Sequence, residues 1–370
     1  MSMNAAIAYQ WVDNNSALQD CVGYLGGASE LAVDTEFMRT DTFYPIPALL
    51  QLSDGQRIFL IDPLGISEWQ PLRALMLDAS IVKVLHSVSE DMEVFQRLLN
   101  CVPQPLLDTQ IGAALAGFGS GLGYQKLIDQ LLGIAVEKGE TRSNWLQRPL
   151  SDSQCVYAAL DVEHLLPAYR VIQGKLEAQG RMAWWREEGE RQVKTARSEI
   201  APGDYFKRIK SAWKLNSRQQ ASLRDLCAWR ELEARAQNVP RGRILKDPVC
   251  VDIVRRGPGH PAALASVPDI RDSTVRKHGQ TICDIVAAGH SLTEEELLAR
   301  PLEGPQKARL KALREQLDIL GDELNVPREM LLNKRDMEQL VRGGELPADL
   351  KGWRSAVLAS VVMNSAAEAQ

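Results

Sequence analysis

A twenty-residue stretch occurs twice in the C-terminal half of this chain, and that repetition narrows the possible folds more than any other feature. NVPRGRILKDPVCVDIVRRG at 238–257 aligns with NVPREMLLNKRDMEQLVRGG at 325–344. Pro240 matches Pro327, Arg241 matches Arg328, Ile244-Leu245 matches Leu331-Leu332, and Val254-Arg255 matches Val341-Arg342. Each copy follows a stretch with helical apolar spacing, 217–237 in the first and about 306–324 in the second. Self-similarity at a fixed offset implies two copies of one small helical unit. HSLTEEELLARPLEGP at 290–305 reads as their connector, and no strand pattern follows Ala201-Pro202-Gly203.

The first 200 residues are patterned differently. LAVDTEFMR at 31–39 reads as a strand, and ALLQLSDGQRIFLID at 48–62 as two strands joined at Asp54-Gly55, a strong hairpin signal. SEWQPLRALML has helical spacing, IVKVLHSV at 81–88 is a fourth strand, and SEDMEVFQRLLN follows as a helix with acids in its first turn. LLDTQIGAALAG, YQKLIDQLLG and a long stretch from Ser151 past Tyr169 toward KLEAQG read as helices. Antiparallel strands followed by alternating helices and strands imply an α/β domain with a mixed central sheet flanked by helices. The expected organisation is an α/β domain over 1–203, a first helical domain over 204–290 and a second over 291–370.

Composition excludes some classes. With 45% hydrophobic and 25% charged residues the chain has an ordinary globular balance. Its six cysteines form no C-x-x-C pair, which argues against zinc ribbons and thioredoxin-type chemistry. No leader-like start and no membrane-length apolar run is present, so a reduced, cytoplasmic protein without membrane contact is expected. The net charge of −5 carries no general hint of a nucleic-acid partner, but residues 204–256 hold 13 Lys and Arg against 6 Asp and Glu. This basic block includes Lys207, Arg208, Lys210, Lys214, Arg241, Arg243, Lys246, Arg255 and Arg256. It is either a polyanion-binding face or a solvated helix surface. From 300 to 370 the count is 11 against 11, so this stretch is electrically neutral and the second repeat is expected to contribute packing or shape more than charge.

The acids of the α/β domain fall into a pattern. Asp34 and Glu36 lie two apart on a strand and so share one face of it, where two like charges repel unless a cation or a proton sits between them. Asp91 sits in the first turn of the helix after the fourth strand, where a carboxylate also suits the helix dipole. Tyr157 and Asp161 are four apart on one helix face. A carboxylate cluster without His or Cys partners suits Mg²⁺ or Mn²⁺ and not zinc. His86, just after a strand, reads as a structural histidine, and Asp108 as a helix cap. Trp145 reads as a packing residue that could also stack on a base, and Arg148 as either a surface pair or a phosphate contact.

VDTEF, HSVSED and YAALD resemble the three exonuclease motifs of the DEDD superfamily, and a tyrosine four residues before the last acid marks its DEDDy branch. SNWLQRPLSDSQCVYAALDV resembles the ribonuclease D group and its Werner-type helicase-exonuclease relatives. The two helical repeats resemble HRDC domains, named for helicase and RNase D C-terminal. The resemblance covers nearly the whole chain, with all five motif positions intact. It implies an RNase H-like fold for the α/β domain. It also implies that Asp34, Glu36, Asp91 and Asp161 hold two divalent metal ions for in-line hydrolysis, with Tyr157 orienting the attacking water. The expected activity is a 3′→5′ exoribonuclease that releases nucleoside 5′-monophosphates. Its expected partner is RNA, by family resemblance tRNA precursors with 3′ extensions, with no protein partner implied. Two other readings stand beside it: a 3′→5′ DNA exonuclease, which uses the same acid set, and a non-catalytic RNA-binding protein.

Overall fold

The computed structural model describes residues 7–137, 139–140, 143–343, 345–359 and 361. Six strands form one mixed sheet: β1 (Gln10–Val12), β2 (Glu30–Met38), β3 (Ile46–Ser53), β4 (Ile58–Ile61), β5 (Val82–Leu85) and β6 (Leu106–Asp108). Their order across the sheet is β1-β4-β3-β2-β5-β6. The β2–β3 and β3–β4 pairs are antiparallel, whereas β1–β4, β2–β5 and β5–β6 are parallel. The expected hairpin turn is present, with Gly55 at φ 86° and the Asp54 carboxylate accepting from the Gln56 and Arg57 amides at 2.9 and 2.8 Å.

Alternation along the strands divides the core in two. Leu31, Val33, Leu50, Leu52 and Phe59 face one side, against α1 (Asn15–Leu25), α2 (Gln70–Leu77) and α3 (Ser89–Leu99). Ala32, Leu49, Leu60 and Val84 face the other. That face is covered by α4 (Thr109–Ala116), α5 (Tyr124–Leu132), α6 (Asp152–Glu163) and α7 (Leu165–Ala178). Then α8 (Met182–Arg197) runs along β6, so closely that a Cβ on Gly189 would lie 2.0 Å from the Leu106 carbonyl oxygen.

Three elements differ from the sequence expectation. β1 and β6 are three-residue parallel strands, too short to show a period, and the PLLD run of β6 merges with the helix that follows. The long helix expected from Ser151 is two helices broken at His164. Pro167, in the first turn of α7, cannot donate to the Glu163 carbonyl and its ring collides with that carbonyl, so an unbroken helix is excluded.

The remaining helices are α9 (Ser217–Gln237), α10 (Arg241–Ile244), α11 (Asp247–Arg256), α12 (Pro261–Leu264), α13 (Asp272–Ala287), α14 (Pro305–Leu324), α15 (Arg328–Leu331), α16 (Lys334–Gly343) and α17 (Trp353–Val357). The repeat is visible in them. A long helix, a single turn and a ten-residue helix recur as α9–α10–α11 and α14–α15–α16, and Asn238 and Asn325 end the long helices with the same left-handed φ of 50° and ψ of 48°.

The chain forms two compact units that cut across its sequence order. One comprises 1–38, 45–197 and 302–370, and the other 39–44 and 198–301. In the first, the second repeat copy is locked onto α8. Trp353 stacks on Trp184 with ring centroids 4.4 Å apart, and its indole nitrogen donates to Glu188 at 2.9 Å. Arg354, itself buried, pairs with the fully buried Glu188 and donates to the carbonyls of Met330 and Leu331. In the second unit, Phe206, Leu223, Leu226, Cys250, Ile253 and Ile282 form the core. The Asn238 side chain there accepts from the amides of Phe43 and Tyr44 at 3.2 and 3.1 Å. Among the described residues no helix is long and apolar enough to cross a membrane.

Candidate active site

Strand parity places the acids. Asp34 and Glu36 follow Ala32 in register and project toward the α6 face, and the register shifts between Glu36 and Phe37, immediately after the second acid. Asp161 comes down from α6 onto the same face. Carboxylate oxygens of Asp34, Glu36 and Asp161 all lie within 4.8 Å of one another. Thr35 faces the other side, toward α3, and its hydroxyl donates to Asp91 at 2.5 Å. Asp91 is therefore anchored from the opposite layer. It is not within that mutual reach, but its charge is felt by all three of the others.

The electrostatics are those of crowded acids. Burial first, then the charges of Asp161, Asp91 and Glu36, hold the Asp34 carboxyl well above the usual carboxylate range. Burial, with Asp161 and Asp91, pushes Glu36 up to about 9. Asp161 is pushed up to about 7 by burial and by Asp91, against the opposing effect of a hydrogen bond donated by Tyr157. Asp91 rises to about 6 through burial, partly offset by the Thr35 bond. Each carboxyl favours its proton because burial, and then the charges of the neighbouring acids, penalise its ionised form. The donor set is all oxygen, with no histidine or cysteine, which fits a hard divalent cation. A cation bound there would reverse each of these shifts.

Beside Tyr157 and Asp161 opens a cavity of about 590 Å³, also lined by Tyr124, Lys126, Asp129 and the glycine turn of Gly121 and Gly123. Gly121 has φ 62°, a conformation that disfavours a side chain. The Tyr124 hydroxyl donates to the Leu160 carbonyl at 2.7 Å, which ties α5 to the α6 turn that carries Asp161. Tyr124 and the turn were not singled out from sequence. The GFGSGLGY run at 117–124 was their only signal, and it reads equally as a loop.

The other singled-out residues have plain places. Asp108 caps α4 at the Gln110 amide and also accepts from the Ser87 and Val88 amides. His86 bonds Thr109 at 2.9 Å and packs edge-on to Tyr124. Trp145 is buried, and Arg148 pairs with Asp62.

The basic block divides by its partners. Arg208, Lys210, Lys214 and Arg255 line an open cavity of about 620 Å³ in the second unit. Lys207 makes an exposed ion pair with Asp204 at 2.7 Å, and Lys246 is exposed at the start of α11. Arg243 pairs with Asp41 at the surface. Arg241 is engaged internally: Glu231 takes its guanidinium, which lies between the rings of Phe43 and Tyr205 at 4.7 and 4.5 Å.

The chain matches known proteins along almost its whole length. A family model described as 3′-5′ exonuclease matches residues 9–177, and an HRDC-domain model matches residues 219–286. Ribonuclease D of Pseudomonas paraeruginosa is 38% identical over 365 residues, spanning 96% of this chain and 97% of that one. Ribonuclease D of Escherichia coli is 34% identical over 368 residues, spanning 96% and 98%. The crystal structure of the Escherichia coli protein, described as an exoribonuclease involved in structured RNA processing, superposes with a TM-score of 0.89 over 98% of this chain and 99% of that one.

Proposed function

This chain belongs to the ribonuclease D family, and from that premise we propose a 3′→5′ exoribonuclease that removes nucleoside 5′-monophosphates from RNA and trims tRNA precursors with 3′ extensions. The observation that carries the reading is the convergence of Asp34, Glu36 and Asp161 within 4.8 Å, with Tyr157 one helical turn before Asp161 on α6 and lining the same cavity. Asp34, Glu36 and Asp161, with Asp91 from the opposite layer, are the proposed holders of two divalent cations, Mg²⁺ or Mn²⁺. Bound there, such cations would lower the pKa of a water and stabilise the departing 3′-oxygen.

The chain's own groups do the rest. The four carboxylates would supply the negative charge that holds such cations. Tyr157 keeps its proton near pH 7, because a phenol ordinarily titrates near 10 and burial raises it further. It is therefore a donor and not a base, and it orients the attacking water while Asp161 holds the phenol. The cavity beside it takes the terminal nucleotides.

The basic face of the second unit is the proposed RNA-holding surface. Lys207, Arg208, Lys210 and Lys214, with Lys246, carry it, while Arg241 and Arg243 serve mainly the fold through Glu231 and Asp41. We read the 291–370 segment as a second HRDC-like domain, supported by the recurrence of helix, turn, helix and left-handed asparagine. The proposed domain limits are 1–203, 204–290 and 291–370. Six buried, unpaired thiols suit a reducing, cytoplasmic setting.

The test is a 5′-labelled tRNA with a 3′ extension, and a matched DNA strand, incubated with Mg²⁺, Mn²⁺ or chelator. A ladder that shortens from the 3′ end of the RNA only with metal is expected. Equal or preferred cleavage of DNA, or RNA binding without cleavage, would replace this reading by one of its rivals.

A further inference from the structure

Arg148 spends all five of its N–H donors inside the protein. Nε and one Nη2 hydrogen grip the two oxygens of Asp62 at 2.5 and 2.7 Å, and the second Nη2 hydrogen meets the Ala48 carbonyl at 2.6 Å. Nη1 donates to the carbonyls of Trp145 and Gln147, both at 2.8 Å. A guanidinium has only five donors, so none is left for a phosphate. Both anchors belong to the sheet. Ala48 is on β3, and Asp62 directly follows β4, where it is 6% exposed and caps the Leu64 amide at 3.0 Å. The fork thus fixes the 145–148 loop to two strands of the sheet whose next strand carries Asp34 and Glu36.

Trp145 leads from this loop to the reacting groups. Its indole is 2% exposed and packs on the Tyr157 ring, with centroids 6.1 Å apart and planes at 43°. A second tie runs beside it: the Gln154 amide donates to the Asn144 carbonyl at 3.3 Å, and Gln154 closes the capping box with Ser151 that starts α6. Loop and helix start are thereby held as one piece, and Tyr157 lies one turn further along that helix.

We propose that Asp62, Arg148 and Trp145 form a positioning relay that sets the Tyr157 ring, and hence the direction of its hydroxyl, against the carboxylate site. The relay rests on the reading of Tyr157 as the residue that orients water. Lysine cannot replace Arg148, because an ammonium cannot reproduce a two-oxygen grip together with three carbonyl bonds. A small displacement of a catalytic group can lower turnover by up to about a hundredfold without changing substrate affinity.

The experiment is a double-mutant cycle on the full chain. Arg148→Lys and Trp145→Phe are each made alone and with Tyr157→Phe, and kcat, KM and the Mg²⁺-induced rise in Tm are measured on a single-stranded RNA. Arg148→Lys alone should lower kcat by about ten- to a hundredfold, with KM and the metal-induced Tm rise little changed. In the Tyr157→Phe background the same change should cost little, because the hydroxyl it positions is already gone. Equal fold-losses in both backgrounds would overturn the relay, as would a raised KM with unchanged kcat. Should Arg148→Lys fail to fold, Trp145→Phe decides, since it leaves the fork intact; no loss, or a loss equal in both backgrounds, rejects the relay. Wild-type protein inactive with metal would remove the enzymatic reading itself. A fully active Tyr157→Phe variant would remove the role of Tyr157 and the relay with it.

Discussion

Replacing Asp161 by asparagine should stabilise the metal-free protein while destroying its activity. Burial and the Asp91 charge push the Asp161 carboxyl from an ordinary 3.8 to about 7. Below pH 4 the group is protonated both folded and unfolded, and it costs nothing. Between pH 4 and 7 the folded state holds the proton more tightly than the unfolded chain, so stability falls as pH rises. Above pH 7 the penalty is complete. About three pH units at 1.36 kcal/mol each give an upper bound of about 4 kcal/mol, and water at this incompletely buried carboxylate lowers it to about 1–2 kcal/mol. Asparagine keeps the side chain's size and an oxygen able to accept from Tyr157, so little else is lost. Thermal unfolding in EDTA should show Asp161→Asn melting a few degrees above wild type at pH 8, and level with it near pH 4. With Mg²⁺ or Mn²⁺ the order should reverse, because wild type gains a ligand-linked increment that the variant largely lacks. A variant that melts several degrees below wild type in EDTA at pH 8 would refute the reasoning, since Asp161 would then be a structural residue.

Three further outcomes are expected. Tyr157→Phe removes one hydroxyl and little volume, and steady-state kinetics should show turnover reduced by about ten- to a thousandfold with metal-induced stabilisation retained. Replacing Lys207, Arg208, Lys210 and Lys214 by serine should weaken RNA binding and flatten the log–log salt dependence of affinity by about 0.7 for each lost phosphate contact with a single strand. Titrations at several salt concentrations check this, and unchanged slopes would return the block to an ordinary solvated surface. Glu188→Ala leaves Arg354 buried without its carboxylate and should cost about 3–5 kcal/mol in denaturant unfolding, because uncompensated buried charge is expensive. Exoribonuclease activity per folded molecule should survive that change.

Local information in the sequence was enough for much of this protein. The spacing of Asp34 and Glu36 on a strand, and of Tyr157 and Asp161 on a helix, follows from fixed backbone periods of two and 3.6 residues, so which acids share a face was legible without a structure. The same holds for the Asp54-Gly55 hairpin, the Asp108 cap and the repeated helices, each set by neighbours within a few positions. Even the break before Pro167 had its signal. Tertiary structure decided what depends on partners far away in the chain. Three-residue strands such as β1 and β6 have no period to detect and exist because a longer strand pairs with them. That Asp91 lies in the layer opposite Asp161, held by Thr35, depends on which sheet face each helix covers. Arg148 illustrates the limit best. From its sequence neighbours it could be a phosphate contact or a surface pair, and only Asp62, 86 positions earlier, and Ala48, 100 positions earlier, make it a fork closed within the protein. Charge can be counted along a chain, but whether a charge faces solvent or another side chain is settled only when the chain closes on itself.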